Sequence, residues 1–301
     1  MQLLTYRTGA DLRPAVVHRA RVVDLQHLLA GQGDMAPADM LAVIAGGDAL
    51  LARISARLDQ LDEDTLARSP SVLEANLAAP IPRPGKNVMC IGLNYAEHAA
   101  EGHREPPARP TVFTKAPTAV MGPHDPILID PAVSSQIDWE VELGVIIGRG
   151  GRGISRTGAL DHVFGYTVIN DLSARDIQYS HGGQFFLGKS LDGSCPIGPW
   201  IVTRDEVPDP QALRLTSRVN GVVKQNGTTA DMIFTVAVLI EWLSRGMTLE
   251  PGDILATGTP SGVGHHRSPP EYLQPGDTLE SEIAGIGLLR NPVAAWPGTA
   301  G

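Results

Sequence analysis

Asp138-Trp139-Glu140-Val141-Glu142-Leu143, running into Gly144-Val145-Ile146-Ile147, is the stretch on which the reading of this chain turns. The second half is apolar and β-branched, the composition of a buried strand. In the first half acidic and apolar residues alternate. At strand periodicity Asp138, Glu140 and Glu142 share one face, and Trp139, Val141 and Leu143 the other. Same-face neighbours along a strand stand roughly 6.5–7 Å apart. Carboxylates so placed repel one another unless protons or a cation lie between them. Oxygen-only ligands select a hard cation such as Mg²⁺, Mn²⁺ or Ca²⁺. An edge strand with one solvated acidic face carries the same pattern, so the hexapeptide alone leaves both readings open.

A third carboxylate lies downstream. Val168-Ile169-Asn170-Asp171 places Asp171 at the end of an apolar strand, where an unpaired charge is costly; a helix N-cap is the plainer role for it. Arg175 and Gln178 follow at i and i+3 on an expected helix and so face one side. Upstream, Asn94-Tyr95-Ala96-Glu97-His98-Ala99-Ala100-Glu101 sets His98 and Glu101 at i and i+3 after a short strand. A carboxylate beside an imidazole fixes its tautomer and raises its basicity, as a general base requires, although such pairs also occur as surface contacts. Gly188-Lys189-Ser190 lacks the preceding glycine spacing of a phosphate loop, which argues against nucleotide binding. Residues 257–264, Thr-Gly-Thr-Pro-Ser-Gly-Val-Gly, read as a strand entering a tight turn. Its amides and the Thr259 hydroxyl suit a carboxylate, and a purely structural turn is the alternative.

Working outward, strands are expected at 88–92, 127–129, 141–147, 166–170, 201–203, 214–219, 254–257 and 278–283, with helices at 172–179 and 235–244. The strands are not spaced by regular helices, so a β-rich α+β domain is expected rather than a doubly wound sheet. Residues 1–80 read as a separate small α+β domain, with strands at 3–6 and 21–25 around an Arg13-Pro14 turn and a helix capped by Asp48. The run Ala79-Pro80-Ile81-Pro82-Arg83-Pro84-Gly85 reads as a linker to the rest. The 33 glycines and 24 prolines among 301 residues fit a chain of many turns. A net charge of −9 argues against nucleic acid as partner. The apolar runs are too short to span a bilayer and no signal peptide is apparent, so no membrane partner is expected. Cys90 and Cys195 have no paired spacing; free thiols in a reducing cytoplasm are the simplest expectation.

The ordered set NYAEHAAE, DWEVELG, INDLSARDIQ, FLGKSLDGSCPIGPW, VNGVVKQNGTTADMIF and TGTPSGVG resembles the fumarylacetoacetate hydrolase family from about Gly85 to Pro292. The resemblance implies a β-rich roll or sandwich catalytic domain over 85–294, a homodimer, and Mg²⁺ or Mn²⁺, with Ca²⁺ as a further option. It implies Glu140, Glu142 and Asp171 as metal ligands and His98 with Glu101 as the dyad that activates water. Lys189, Gln178 and Arg175 would line or support the reacting carbonyl, and Thr259 would contact a substrate carboxylate. Asn94 stands near where the large fumarylacetoacetases carry aspartate, which favours a smaller 2-oxo or 2,4-dioxo acid as substrate. The activity implied is hydrolysis of a C–C bond in an acylpyruvate-type 2,4-dioxo acid through a metal-bound enolate, with Lys189 at the oxyanion. Oxaloacetate decarboxylation or isomerisation of a 2-hydroxymuconate-type diacid uses the same groups without water. A metal-stabilised binding module without turnover is the reading from another class. The polar stretch after Glu101, residues 102–107, is expected to be a mobile lid.

Overall fold

The acidic stretch enters the middle of a sheet, not its edge. In the computed structural model, which describes residues 1–30 and 36–298, Val141–Ile147 pairs antiparallel with Val163–Asn170 on one side and Ile254–Ala256 on the other. All seven of its residues are buried. The main path of the sheet is Arg21–Asp24, Asp11–His18, Gln2–Thr8, Cys195–Thr203, Val163–Asn170, Val141–Ile147, Ile254–Ala256, Val88–Gly92, Thr111–Lys115, with Leu77–Ala78 beside Gln2–Thr8 and Val120–Met121 beside Cys195–Thr203. A second sheet runs Val222–Thr228, Arg214–Val219, Thr278–Ile283, Gly287–Ala295, Ile127–Ile129. Leu143, Val145 and Val168 from the first sheet share a core with Leu215, Ile283 and Leu289 from the second and with Val236, Leu239 and Ile240 of the helix Val236–Ser244. That helix starts as its sequence indicates: the Thr235 side chain accepts from the Val238 amide, a cap that contributes about 1 kcal/mol. The result is the expected β-rich α+β architecture.

The N-terminal segment departs from expectation in two places. Arg13 and Pro14 lie inside the strand Asp11–His18, not in a turn. The chain turns earlier, at Gly9, whose φ is +62°. Pro14 is tolerated because Arg21–Asp24 pairs only as far as Ala15↔Asp24, so at Pro14 the strand has one neighbour, across at Thr5. The helix begins at Met40, with Asp39 accepting from the Ala42 amide, and is broken at Gly47. Asp48 therefore begins its second half instead of capping it, and its carboxylate takes Arg204 Nη2 at 2.9 Å. This segment is also tied into the main sheet. Gln2 and Leu3 pair with Val202 and Ile201, and Leu3, Val16, Met40 and Ile44 share a core with Val88, Cys90 and Ile254.

Four longer strands, Asp11–His18, Thr111–Lys115, Val222–Thr228 and Gly287–Ala295, and several two-residue ones among the described residues were not expected, and the helix after Asp171 is shorter, Arg175–Ser180. Both cysteines are free and buried, and burial pushes the Cys195 thiol up to about 12. Among the described residues no helix is long and apolar enough to cross a membrane.

Candidate active site

The site forms where the backbone of the acidic stretch breaks its ladder. Ile137–Asp138 pairs with Ser173–Ala174 in a separate two-stranded ribbon, and Val141–Ile147 belongs to the large sheet. At the break, side chains replace strand partners. The Glu140 amide donates to Asn170 Oδ1 at 3.0 Å and the Val141 amide to Gln225 Oε1 at 3.0 Å. The three acids expected on one face stay close, with Arg175 Nη2 at 2.7 Å from both Asp138 and Glu140, but they find different partners. Asp138 turns to Arg175 Nε at 2.8 Å and to the Gly264 and His265 amides at 2.6 and 3.0 Å. Glu140 and Glu142 meet Asp171 instead, and one oxygen of each lies within 4.8 Å of the others. All three are buried. Asp171 is not an N-cap: the following helix has Ala174 at that position and no side-chain cap.

Three cations surround this cradle. Lys189 Nζ donates to Glu140 Oε2 at 2.7 Å and Asp171 Oδ2 at 2.9 Å. Arg175 Nη2 donates to Glu140 Oε1 at 2.7 Å, and Lys115 Nζ to Asp171 Oδ1 at 2.7 Å. Lys189 reaches the cradle from the short helix Phe186–Lys189, which lies close against Arg175–Ser180. A Cβ on Gly188 would stand 2.5 Å from the Gln178 nitrogen, so only glycine permits this approach. Burial alone would lower the Lys189 pKa, but Asp171 and Glu140 beside it drive it well above the usual lysine range. Burial likewise pushes Glu140 upward, and Lys189 and Arg175 outweigh it and hold that carboxyl well down.

Glu142 is different. Its carboxylate accepts from the Gly258 amide at 2.7 Å, and among the described residues no cation pairs with it. Burial, with Asp171 and Glu140 nearby, holds its carboxyl well above the usual range. Four buried carboxylates, Asp138 included, thus face three buried cations, and the unbalanced one is in the cradle. An all-oxygen, charge-rich donor set that already draws in an ammonium group fits a hard divalent cation.

The dyad lies beside it. His98 Nδ1 and Glu101 Oε1 are 2.7 Å apart on the helix Ala96–Glu101, and Glu101 Oε2 accepts from the Gly262 amide at 2.9 Å. Burial acts to raise the Glu101 carboxyl, but the His266 and His98 imidazoles and the Gly262 amide outweigh it and bring it down to about 2. His98, Glu140, Glu142, Lys189, Gln178 and Arg104 line one pocket of about 120 Å³, with Phe113, Phe185 and Tyr179 among its walls.

All nine residues singled out from sequence fall in or against this site, and two of them are held by neighbouring protein groups. Arg175 is engaged by Asp138, Glu140 and Gln178 Oε1, so it positions the carboxylates while also lining the pocket. The Thr259 hydroxyl donates to the Val141 carbonyl at 2.9 Å and accepts from Gln225 Nε2 at 2.7 Å, so its proton is already committed. The turn at 257–264 does hold carboxylates, but they are the protein's own: Gly258 holds Glu142, Gly262 holds Glu101 and Gly264 holds Asp138. Asn94 likewise braces the scaffold, bonding Thr257 O and both backbone groups of Phe234.

Sequence reasoning missed Lys115, Gln225 and His266. Nothing local marks Lys115, which ends an ordinary Thr-Val-Phe-Thr-Lys strand. The paired His265-His266 was visible, but its approach to Glu101 comes from the fold.

A family profile described as fumarylacetoacetate (FAA) hydrolase C-terminal matches residues 87–294. The chain is 47% identical over 262 residues to oxaloacetate tautomerase YisK of Bacillus subtilis (strain 168), covering 85% of this chain and 87% of that one. It is 45% identical over 221 residues to the mitochondrial oxaloacetate tautomerase FAHD2A of Homo sapiens, covering 73% and 70%. Among solved structures, the fumarylacetoacetate hydrolase of the psychrophile Exiguobacterium antarcticum superposes with a TM-score of 0.81 at 39% identity, covering 98% of this chain and 100% of that one. Maleylpyruvate hydrolase from Sphingobium sp. SYK-6, in complex with manganese(II) and pyruvate, superposes with a TM-score of 0.79 at 29% identity, covering 98% and 99%.

Proposed function

The chain belongs to the fumarylacetoacetate hydrolase family, and from that premise we propose that it interconverts the keto and enol forms of oxaloacetate or a similarly short 2-oxo diacid. The observation that carries this reading is one base and one carboxylate cradle facing the same small pocket. A keto–enol exchange asks for a base at C3 and stabilisation of charge on one oxygen. At about 120 Å³ the pocket is well below the ~300 Å³ at which drug-sized sites begin. The two relatives named above as oxaloacetate tautomerases support the choice of substrate.

Glu140, Glu142 and Asp171 would hold Mg²⁺ or Mn²⁺, which when bound supplies Lewis acidity to the 2-oxo group. His98 Nε2 is the ring nitrogen left free by the Nδ1–Glu101 bond; it takes the C3 proton of the keto form, the 2-oxygen gains a proton from the imidazolium or from solvent to give the enol, and the reverse transfers restore the keto form. Glu101 holds the ring and balances the imidazolium that forms. Lys189 remains charged throughout and offsets negative charge on the substrate oxygen. Gln178 gives its Oε1 to Arg175, which leaves Nε2 as the amide donor for a substrate oxygen.

C–C hydrolysis of a 2,4-dioxo acid is the second reading. It is favoured by the same dyad, which suits activation of water, and by the likeness to the maleylpyruvate hydrolase. It asks in addition for a water beside His98 and room for an acyl group, which the small pocket disfavours.

The test is an assay of the Mg²⁺- or Mn²⁺-loaded enzyme. Enol oxaloacetate is followed by the decay of its ultraviolet band, and acylpyruvates and oxaloacetate by release of pyruvate. Accelerated enol decay with little pyruvate release is expected. Rapid pyruvate release from an acylpyruvate with no effect on the enol would establish the hydrolase instead.

A further inference from the structure

We propose that His98, Glu101 and His266 form a second metal site, for Zn²⁺ or a similarly borderline transition-metal ion, and that filling it silences His98 as a base. One ligand atom from each lies within 4.8 Å of the others. Glu101 Oε2 is fixed by the Gly262 amide, and Oε1 is left between the two rings, 2.7 Å from His98 Nδ1 and 3.7 Å from His266 Nδ1. His266 Nδ1 is buried, has no hydrogen-bond partner among the described residues, and stands 3.7 Å from the Glu101 carboxylate. The two rings stand 5.8 Å apart, centroid to centroid. They come from separate elements, the helix Ala96–Glu101 and the turn Gly264–His266, tied together by the Gly262–Glu101 bond.

Two imidazoles and one carboxylate with a further position open make a donor set typical of zinc. Imidazole suits zinc, copper and nickel, whereas the neighbouring three-carboxylate cradle suits magnesium and manganese. The pocket thus offers two donor sets of different hardness, and His98 lines it beside Glu140 and Glu142. A neutral imidazole carries one proton. In the dyad it lies on Nδ1, toward Glu101, and Nε2 keeps the lone pair. A metal on Nδ1 moves that proton to Nε2, with no net release, and the nitrogen that would accept a substrate proton becomes a donor.

The metal-binding half of this proposal is independent of the reaction; the silencing half rests on His98 as the base. The experiment titrates Zn²⁺ into the full-length enzyme held in saturating Mg²⁺, by calorimetry and by equilibrium dialysis. One Zn²⁺ per chain is expected to bind without being displaced by Mg²⁺. Binding should persist in Glu142→Gln and weaken at least ~10-fold in both His266→Ala and His266→Asn. The Zn²⁺ concentration that halves enol-oxaloacetate turnover should rise by the same factor in the His266 variants. Unchanged Zn²⁺ affinity in both His266 variants, or loss of the bound Zn²⁺ in Glu142→Gln, would overturn the site. Zn²⁺ bound as described with turnover unaffected would overturn the silencing. A Mg²⁺ enzyme that does not act on the enol while Zn²⁺ still binds through His266 would count against the proposed reaction and in favour of the site.

Discussion

Glu142 is the residue on which the metal assignment bears most directly, because it alone in the cradle lacks a cationic partner among the described residues. Glu142→Gln keeps its shape and its place beside the Gly258 amide but removes one ligand charge. Metal affinity should fall at least ~10–100-fold, measured by calorimetry, while the metal-free variant melts no lower than the parent. Wild-type affinity in this variant would remove the cradle from consideration. His98→Ala should leave Mg²⁺ binding unchanged and slow enol turnover by ~10²–10⁴, the range for loss of a general base. An unchanged rate would return His98 to the role of a buried structural residue. Glu101 carries a pH signature of its own. Its carboxyl is held down to about 2 in the fold, so the ionised form is favoured by folding. The stabilisation is complete above the ordinary glutamate range, shrinks as pH falls from there toward about 2, and is gone below it. The stability difference between wild type and Glu101→Gln, read by denaturant titration from pH 6 to pH 2, should follow that course; a difference independent of pH would contradict it.

At the scale of elements, the turn at 257–264 is the piece that organises the site. Gly258 has φ of +98°, and a Cβ there would stand 2.7 Å from Asn94 Cβ and 3.0 Å from the Ile91 carbonyl. Gly258→Ala should therefore lose about 1–3 kcal/mol of stability and weaken metal binding, because the displaced amide is the one that holds Glu142. Normal melting and normal metal affinity would show that the turn does not set the ligand. This turn also shows how far the sequence could be read. Its tightness and its affinity for carboxylates were legible from Thr-Gly-Thr-Pro-Ser-Gly-Val-Gly. The identity of those carboxylates was not, because Glu142, Glu101 and Asp138 arrive from three other elements. In the same way the i, i+3 pairs His98/Glu101 and Arg175/Gln178 were readable, since helix geometry alone brings their side chains together. That Arg175 would stand between Asp138 and Glu140 was hidden, because it reaches both from the helix Arg175–Ser180. Val222–Thr228 escaped notice for a local reason: its Lys-Gln-Asn-Gly centre lacks strand composition, and pairing with Arg214–Val219 overrides that preference.

In the whole molecule the site depends on a sheet that reaches into the N-terminal segment. Removing residues 1–83 would leave Cys195–Thr203 without its Gln2–Thr8 partner and expose Val88, Cys90 and Ile254, which now pack against Leu3, Val16 and Met40. The shortened chain should melt lower and tend to aggregate through the freed edge; a melting temperature equal to the parent's would mean that residues 84–301 fold independently. The reaction itself also belongs to this scale, since it needs the cradle, the dyad and Lys189 brought together from distant parts of the chain. The most direct test is hydrogen exchange at C3 of oxaloacetate in D₂O, followed by proton NMR with Mg²⁺-loaded wild type and His98→Ala. Wild type should accelerate loss of the C3 proton signal far above the metal-only background, and His98→Ala should return it to near that background. Exchange no faster with wild type than with Mg²⁺ alone would contradict proton transfer by His98 at this carbon.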